Sequence, residues 1–209
     1  AGKADVAVLP EMFATGFCTD HPELAETMDG EIIRRLQAVA DKSGVAIVSS
    51  FICLPDSRHS IPDTPAKLRN RGFMIKPHAE IEIQDKRHLY AHGGEDLFFQ
   101  PAQKRHIFEY KGVKFLLLVC YDLRFPVWAR NQSGSDYAII LVVANWPDIR
   151  IQYWDALIAA RATENQCYIA AVNCVGDDGM GLHYYGHSVA YDTRLQPIVS
   201  FADDEEGTK

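Results

Sequence analysis

The sequence predicts an α/β domain, and three observations carry that expectation. Near-continuous apolar runs of strand length recur at 45–54, 113–119 and 137–143, the pattern of strands buried on both faces. Two stretches, 22–42 and 150–165, place apolar residues at three- and four-residue spacing, which is the helical period. The first of these helices lies between two strand candidates, and a strand–helix–strand of that length argues for a right-handed crossover with parallel or mixed pairing. With 209 residues, 47% of them hydrophobic, there is enough chain for one sizeable core. No repeat or linker is visible, so residues 1–209 are expected to form a single domain.

The elements follow in order. Residues 5–9 (DVAVL) read as a short buried strand stopped by Pro10, since proline cannot donate to a sheet ladder. Glu11 comes next, with Phe13 and Phe17 beside it. A lone glutamate there is usually a surface charge or a first-turn carboxylate, but the two aromatics suggest a pocket wall. In the helix over 22–42, Ile32, Ile33, Leu36, Val39 and Ala40 form the apolar side, and Gly44 closes it. A strand over 45–54 follows, then a polar loop over 55–65. Residues 70–75 and 79–83 look like a hairpin around Pro77, with Glu80 and Glu82 on a wet face. Lys86 follows the second strand; alone, it reads as a solvated charge. An irregular loop over 91–101 carries Gly93, Gly94 and Glu95, then Phe98 and Phe99, a composition suited to covering a site.

The central stretch is KGVKFLLLVCYDLRFPVW, 111–128. Its apolar run ends at Cys120, and Pro126 suits the first turn of a helix over 126–132. A cysteine at the carboxyl end of a buried strand, on a sharp turn, is where an α/β hydrolase puts a nucleophile. Taken alone, the stretch fits a core cysteine better, because free cysteine is among the most buried residue types. A strand over 137–143 ends near Trp146, which reads equally as core aromatic or pocket wall. The helix over 150–165 has a stripe of Ile151, Trp154, Ile158 and Ala162, with Ala159 and Ala160 allowing close approach. A strand over 166–175, tight turns at Gly176, Gly179 and Gly181, and strands over 185–192 and 196–201 complete the chain; the acidic tail 203–206 is expected to be solvated. The first strand begins almost at residue 1, and the chain stops soon after a strand pair. An upstream strand and helix, and further chain beyond 209, are therefore expected to be missing.

Composition narrows the function. The formal net charge is -7 and no basic block stands out, which argues against nucleic acid and anionic membrane as partners. No apolar run reaches transmembrane length, and no charged-then-apolar leader is present. Five cysteines at irregular spacing fit reduced thiols and a cytoplasmic location better than a disulfide framework. The sequon at Asn131 reads as chance. There is no CxxC or HExxH, and Cys167 and Cys174 do not make a ligand pair, so no metal or other cofactor is expected.

Glu11, Lys86 and Cys120 share one topological address: each follows a strand, and the carboxyl ends of strands in an open α/β sheet form the ligand crevice. Their chemistry is complementary. A thiol needs a base, which Glu11 supplies. An attacked carbonyl or nitrile develops negative charge, which Lys86 and the N–H groups after Cys120 stabilise. Glu95 is a second carboxylate able to orient Lys86 or a water.

The segments LPEMFATGF, DKRHLY and VCYDLRFP, in this order, resemble the three signature segments of the nitrilase superfamily of carbon–nitrogen hydrolases; ANWP, ARATENQCYIAAVNCVG and GHSVAYD also match later stretches of it. CYDLRFP is similar to the omega-amidase branch, and MFATGF, DKRHLY and NWP to its bacterial members. The resemblance implies an α-β-β-α sandwich that pairs into a homodimer or a higher homo-oligomer. It implies a catalytic Glu11, Lys86 and Cys120, an additional glutamate falling on Glu95, and a small-molecule amide substrate: the terminal amide of a 2-oxo acid, hydrolysed through a thioester. A nitrilase, an N-carbamoyl amidase and a catalytically silent scaffold are the rival readings. The Tyr121 N–H is expected at the oxyanion. Phe17 and Trp146 are candidate walls. Arg124, Arg150 and Tyr121 are candidate partners for the substrate carboxylate, Arg124 being equally a structural ion-pair partner.

Overall fold

The computed structural model describes residues 4–55, 67–132 and 136–209. The first sheet has the order β1 (Val6–Val8), β2 (Ala46–Cys53), β3 (Arg69–Ile75) and β4 (Glu82–Asp85). β1 is parallel to β2, while β2–β3 and β3–β4 are antiparallel, so β1, β2 and β4 all run the same way. The second sheet is built from β5 (Ile107–Tyr110), β6 (Val113–Val119), β7 (Ile139–Ala144), β8 (Tyr168–Asn173), β11 (Val189–Tyr191) and β12 (Pro197–Ser200). Within it β6, β7 and β8 are parallel neighbours. Between β8 and β11, the pair β9 (Val175–Asp177) and β10 (His183–Tyr185) forms a separate antiparallel ribbon.

The period of two in a strand decides the layers. Leu116 and Leu118 of β6, with Ile140 and Val142 of β7, pack against Trp154, Ile158 and Ala162 of helix α4 (Ile151–Asn165). The alternate residues Leu117, Val119, Leu141 and Val143 meet Ala46, Val48 and Met74 of the first sheet. On that sheet's other face Ile47, Phe51, Phe73 and Ile75 pack on Ile33 and Ala40 of α1 (Glu31–Ser43). The order is therefore α1, first sheet, second sheet, α4: the expected α-β-β-α sandwich. β2 and β6 lie between two apolar layers, which is why their sequences do not alternate. The sheets approach so closely at Gly72 that a Cβ there would lie 2.5 Å from Leu117 Cδ2 and 2.7 Å from the Gln84 carbonyl.

Several elements differ from expectation. The helix expected over 22–42 begins only at Glu31, after a 3-10 turn at Pro22–Leu24. The intervening segment docks on the end of β2 instead: Glu26 N–H donates to the Ile52 carbonyl (3.1 Å), and the Glu26 carboxylate caps α1 by accepting from Ile32 N–H (2.9 Å). The loop over 91–101 contains a 3-10 turn, Ala91–Gly93, and a one-turn helix α2 (Glu95–Phe98). The helix over 126–132 is only α3 (Pro126–Ala129), because Tyr137 Oη and Arg105 take up the carbonyls of Ala129, Trp128 and Arg130. Of the two alanines expected to allow close approach in α4, Ala159 is half-buried and Ala160 is exposed. The strand over 166–175 stops at Asn173, and the tight turns become the β9–β10 ribbon. Gly186 and His187, both at positive φ, separate Tyr185 from the sheet strand that resumes at Val189. The acidic tail is exposed but tethered: Asp203 pairs with His187 (2.6 Å) and Asp204 with His183 (2.8 Å). The loop over 55–65 lies, beyond Pro55, outside the described residues. No helix among them is long and apolar enough to cross a membrane.

Candidate active site

Each of the three strand-end residues is held by its backbone before its side chain is considered. After β1, Leu9 N–H still pairs with Val48 (2.9 Å), Ser49 Oγ donates to the Pro10 carbonyl (2.6 Å), and Ser50 Oγ accepts from Met12 N–H (3.0 Å). Met12 has a φ of +45° and is fully buried. Those contacts turn the chain sharply and aim Glu11 inward. Lys86 sits one residue past β4, its N–H on the Asn70 carbonyl (2.9 Å) and its carbonyl accepting from Ala102 (3.0 Å). Cys120 follows β6 and opens a 3-10 turn, Cys120–Arg124, with a φ of +46°. For a residue with a Cβ this left-handed conformation costs on the order of 1 kcal/mol or more. It is the strained strand-to-helix turn that lifts a nucleophile out of a sheet.

The side chains form a closed, buried ring. Lys86 Nζ lies 2.9 Å from Glu11 Oε1 and 2.9 Å from Glu95 Oε2. Opposite the lysine, Asn70 Nδ2 donates to Glu11 Oε1 (2.7 Å) and to Glu95 Oε1 (2.9 Å). Glu11 Oε2 accepts from Asn145 N–H (3.1 Å), and Glu95 Oε2 from Tyr90 N–H (2.7 Å). Glu11, Lys86 and Glu95 have no exposed surface. Burial alone would lower the Lys86 pKa, but the charges of Glu11 and Glu95 outweigh it and hold the ammonium well above its ordinary range. The Cys120 thiol is pushed well up, first by burial and then by Glu11; Lys86 opposes the shift without cancelling it. At neutral pH the ring therefore holds a lysinium beside a protonated thiol.

Asp122 joins the lysine loop to the cysteine turn. Its Oδ1 accepts from His88 N–H and Nδ1 (both 2.8 Å), and its Oδ2 lies 3.3 Å from the N–H groups of Arg87 and Val119. The carboxylate is buried and His88 stacks on Phe125, with ring centroids 3.6 Å apart.

Above Cys120 opens a cavity of about 270 Å³, whose wall includes Phe17, Tyr90, Arg124, Trp146 and Arg150. Phe17 and Trp146 both line this cavity. The Tyr121 ring does not line the cavity; it packs against Tyr90 and Phe125. Arg124 has no ion pair among the described residues and lies instead over the rings of Trp146 (4.9 Å), Tyr153 (5.2 Å) and Tyr121 (5.8 Å). Sequence reasoning missed Asn70, Asp122, Asn145 and Tyr90. Asn145 carried a signal, since it follows β7 directly and so has the same address as the other strand-end residues.

A cysteine on a strained strand-end turn, facing a small cavity and backed by a buried Glu–Lys–Glu ring, in an α-β-β-α sandwich, defines the nitrilase class of hydrolase. The chain belongs to the carbon-nitrogen hydrolase family, whose profile matches residues 1–209. It is 43% identical over 192 residues to the omega-amidase YafV of Yersinia enterocolitica, covering 91% of this chain and 70% of that one. It is 34% identical over 190 residues to the 2-oxoglutaramate amidase of Bacillus subtilis, covering 90% and 70%. Among solved structures, XC1258 of Xanthomonas campestris, a CN-hydrolase superfamily protein with an arsenic adduct in its active site, superposes with a TM-score of 0.90. That match has 37% identity and covers 99% of this chain and 77% of that one. The protein is accordingly a hydrolase of amide carbon–nitrogen bonds.

Proposed function

We propose that the protein hydrolyses the terminal amide of a small 2-oxo acid, of the 2-oxoglutaramate or 2-oxosuccinamate type, to the carboxylate and ammonia. Cys120 is the nucleophile. Glu11 takes the proton from Sγ as sulfur attacks the amide carbon, which suits a thiol that is protonated at rest. The oxyanion is held by Lys86 Nζ and the Tyr121 N–H, one of the first donors of its turn and so without an intrahelical acceptor. Glu11 passes the proton to the departing nitrogen, the C–N bond breaks, and a thioester remains. Water then attacks the thioester carbon and gives its proton to Glu11; sulfur leaves and recovers the proton. Glu95 fixes Lys86 from the side away from Glu11. Arg124 is the partner of the substrate carboxylate, four residues from the nucleophile and on the cavity wall. The same reading includes pairing of the chain into a homodimer. Val127 on α3 and Tyr153 on α4, two helices that pack together, expose apolar surface that a second copy would cover.

One observation carries the proposal: Glu11 Oε1 accepts from Lys86 and Asn70 while its backbone and Oε2 are tied to Asn145, beside a thiol that opens to a cavity of small-molecule size. A substrate panel tests it. Ammonia release is expected to be fastest from 2-oxoglutaramate, against an aliphatic nitrile and an N-carbamoyl amino acid. Either of the others leading would replace the substrate assignment. Cys120→Ala is expected to lose about 10⁴-fold or more in rate with its fold intact, and full activity in that variant would exclude the thioester route.

A further inference from the structure

Two guanidinium groups reach the cavity, and one carboxylate needs only one of them. Arg124 enters on the cysteine turn, lying over Trp146. Arg150 enters from the loop before α4, and its guanidinium lies 5.5 Å from the centre of the Tyr90 ring. The arginines are tied through Trp146, whose Nε1 donates to the Arg150 carbonyl (2.9 Å) while its ring carries Arg124. Neither guanidinium has an ion pair or hydrogen bond among the described residues. Among the described residues Asp178 is the only carboxylate lining the cavity, and it is already used: Oδ1 accepts from Met180 N–H (2.8 Å) and Leu182 N–H (2.9 Å), Oδ2 from Tyr184 Oη (2.8 Å).

A guanidinium is a planar fork of donors, and an aromatic face beneath it fixes its plane without consuming those donors. Two such forks, both open, fit a ligand end with more acceptor oxygens than one carboxylate holds. A 2-oxo acid has that end, with a carboxylate and an adjacent ketone oxygen. An α-ammonium in the ketone's place would bring a third positive charge towards two cations with no free carboxylate to receive it.

We propose that Arg150 is a second anion-binding residue of the cavity, gripping the 2-oxo carboxylate end of the substrate together with Arg124 and selecting a 2-oxo over a 2-amino acid amide. The inference rests on the amidase reading above and deepens it. Its test compares wild type with Arg150→Gln and Arg150→Lys on four amides: 2-oxoglutaramate, glutaramate (the same chain without the ketone), glutamine and uncharged butyramide. In Arg150→Gln, KM for 2-oxoglutaramate is expected to rise about 10- to 100-fold, the range of a charge-assisted hydrogen bond, with kcat changed far less. The kcat/KM preference for 2-oxoglutaramate over glutaramate and over glutamine should shrink, and Arg150→Lys should fall between. Binding of the product 2-oxoglutarate to Cys120→Ser, followed by calorimetry, should weaken by a similar factor when Arg150→Gln is added. An unchanged KM, or a loss shared equally by butyramide, would overturn the role of Arg150 while leaving the amidase reading standing. A wild-type enzyme that turns over butyramide but not 2-oxoglutaramate would overturn the substrate reading and the inference with it.

Discussion

Replacing Lys86 by methionine separates what the ring does for stability from what it does for chemistry. Nζ lies 2.9 Å from an oxygen of each of two fully buried glutamates. Without the cation, Glu11 and Glu95 face each other in a buried site, bridged among the described residues by the Asn70 amide. Removing one partner of a buried ion pair costs about 3–5 kcal/mol, because the remaining charge keeps its desolvation penalty and loses its compensation. Against a typical domain stability of about 5–15 kcal/mol, that is a large fraction. With a urea m-value of about 2 kcal/mol/M, the unfolding midpoint should fall by about 2 M. Glu95→Gln is then the informative second change. In wild type it leaves Lys86 with one counter-ion and should destabilise. On the Lys86→Met background it removes one of two unpaired charges and should stabilise, so the double-mutant cycle should show strong coupling. Amidase activity should stay lost in the double variant, because the cation proposed to hold the oxyanion is still absent. A Lys86→Met cost under about 1 kcal/mol, or a Glu95→Gln effect of the same sign in both backgrounds, would refute the account of the ring as a buried charge balance.

Asp122→Asn turns one of two acceptor oxygens into an NH2, which would face the Arg87 and Val119 N–H groups at Oδ2 or the His88 N–H at Oδ1. It should cost about 2–4 kcal/mol by urea denaturation and lower kcat more than it raises KM, since Lys86 and Cys120 lose their shared staple. Asn70→Ala should reduce kcat about 10²-fold with KM nearly unchanged, because both glutamates lose a donor while the cavity wall is untouched; steady-state kinetics on the amide checks it. Alkali should destabilise the fold. Burial pushes up the thiols of Cys120, Cys167 and Cys174, the last two to about 12, and the Lys86 ammonium is also raised by its glutamates despite burial. All four keep protons in the folded chain that the unfolded chain releases above about pH 8.5 for thiols and about pH 10.4 for lysine. The unfolded state then binds fewer protons, so stability falls as pH rises. Urea midpoints measured from pH 7 to 11 should decline, and a flat profile would contradict these shifts.

The strands and the three chemical residues were legible for related reasons. A strand sandwiched between a sheet and a helix layer has no polar face, so β2, β6 and β7 announce themselves as nearly unbroken apolar runs, and the residues that follow β6 and β7, Cys120 and Asn145, reach the same rim. Glu11, Lys86 and Cys120 were visible as soon as that rim was taken as one place; the sequence resemblance then suggested the roles proposed for them. The start of α1 was hidden because Glu26 acts at a distance, tying residues 25–30 to β2 and capping the helix from six residues away. The pair β9–β10 was hidden because Gly186 and His187 interrupt what reads as one strand.

Asn70 and Asp122 show where reading along the chain stops working. Asn70 is a polar residue inside a strand and Asp122 an acid in a short polar turn, and neither stretch marks it out. Their weight comes from partners 59 and 25 residues away in one case and 34 in the other. The physical reason lies in the charge inventory. Two buried glutamates and one lysine leave a net negative charge next to a thiol, and that is tolerable only if every carboxylate oxygen is engaged. Neutral donors must therefore make up what a single cation leaves unmet: Asn70 Nδ2, Asn145 N–H and Tyr90 N–H do so. The proposed nucleophile, base and cation follow from chemistry that can be named in advance. The neutral donors are dictated by the burial that chemistry requires, and they become identifiable only once the sheet edges are brought together.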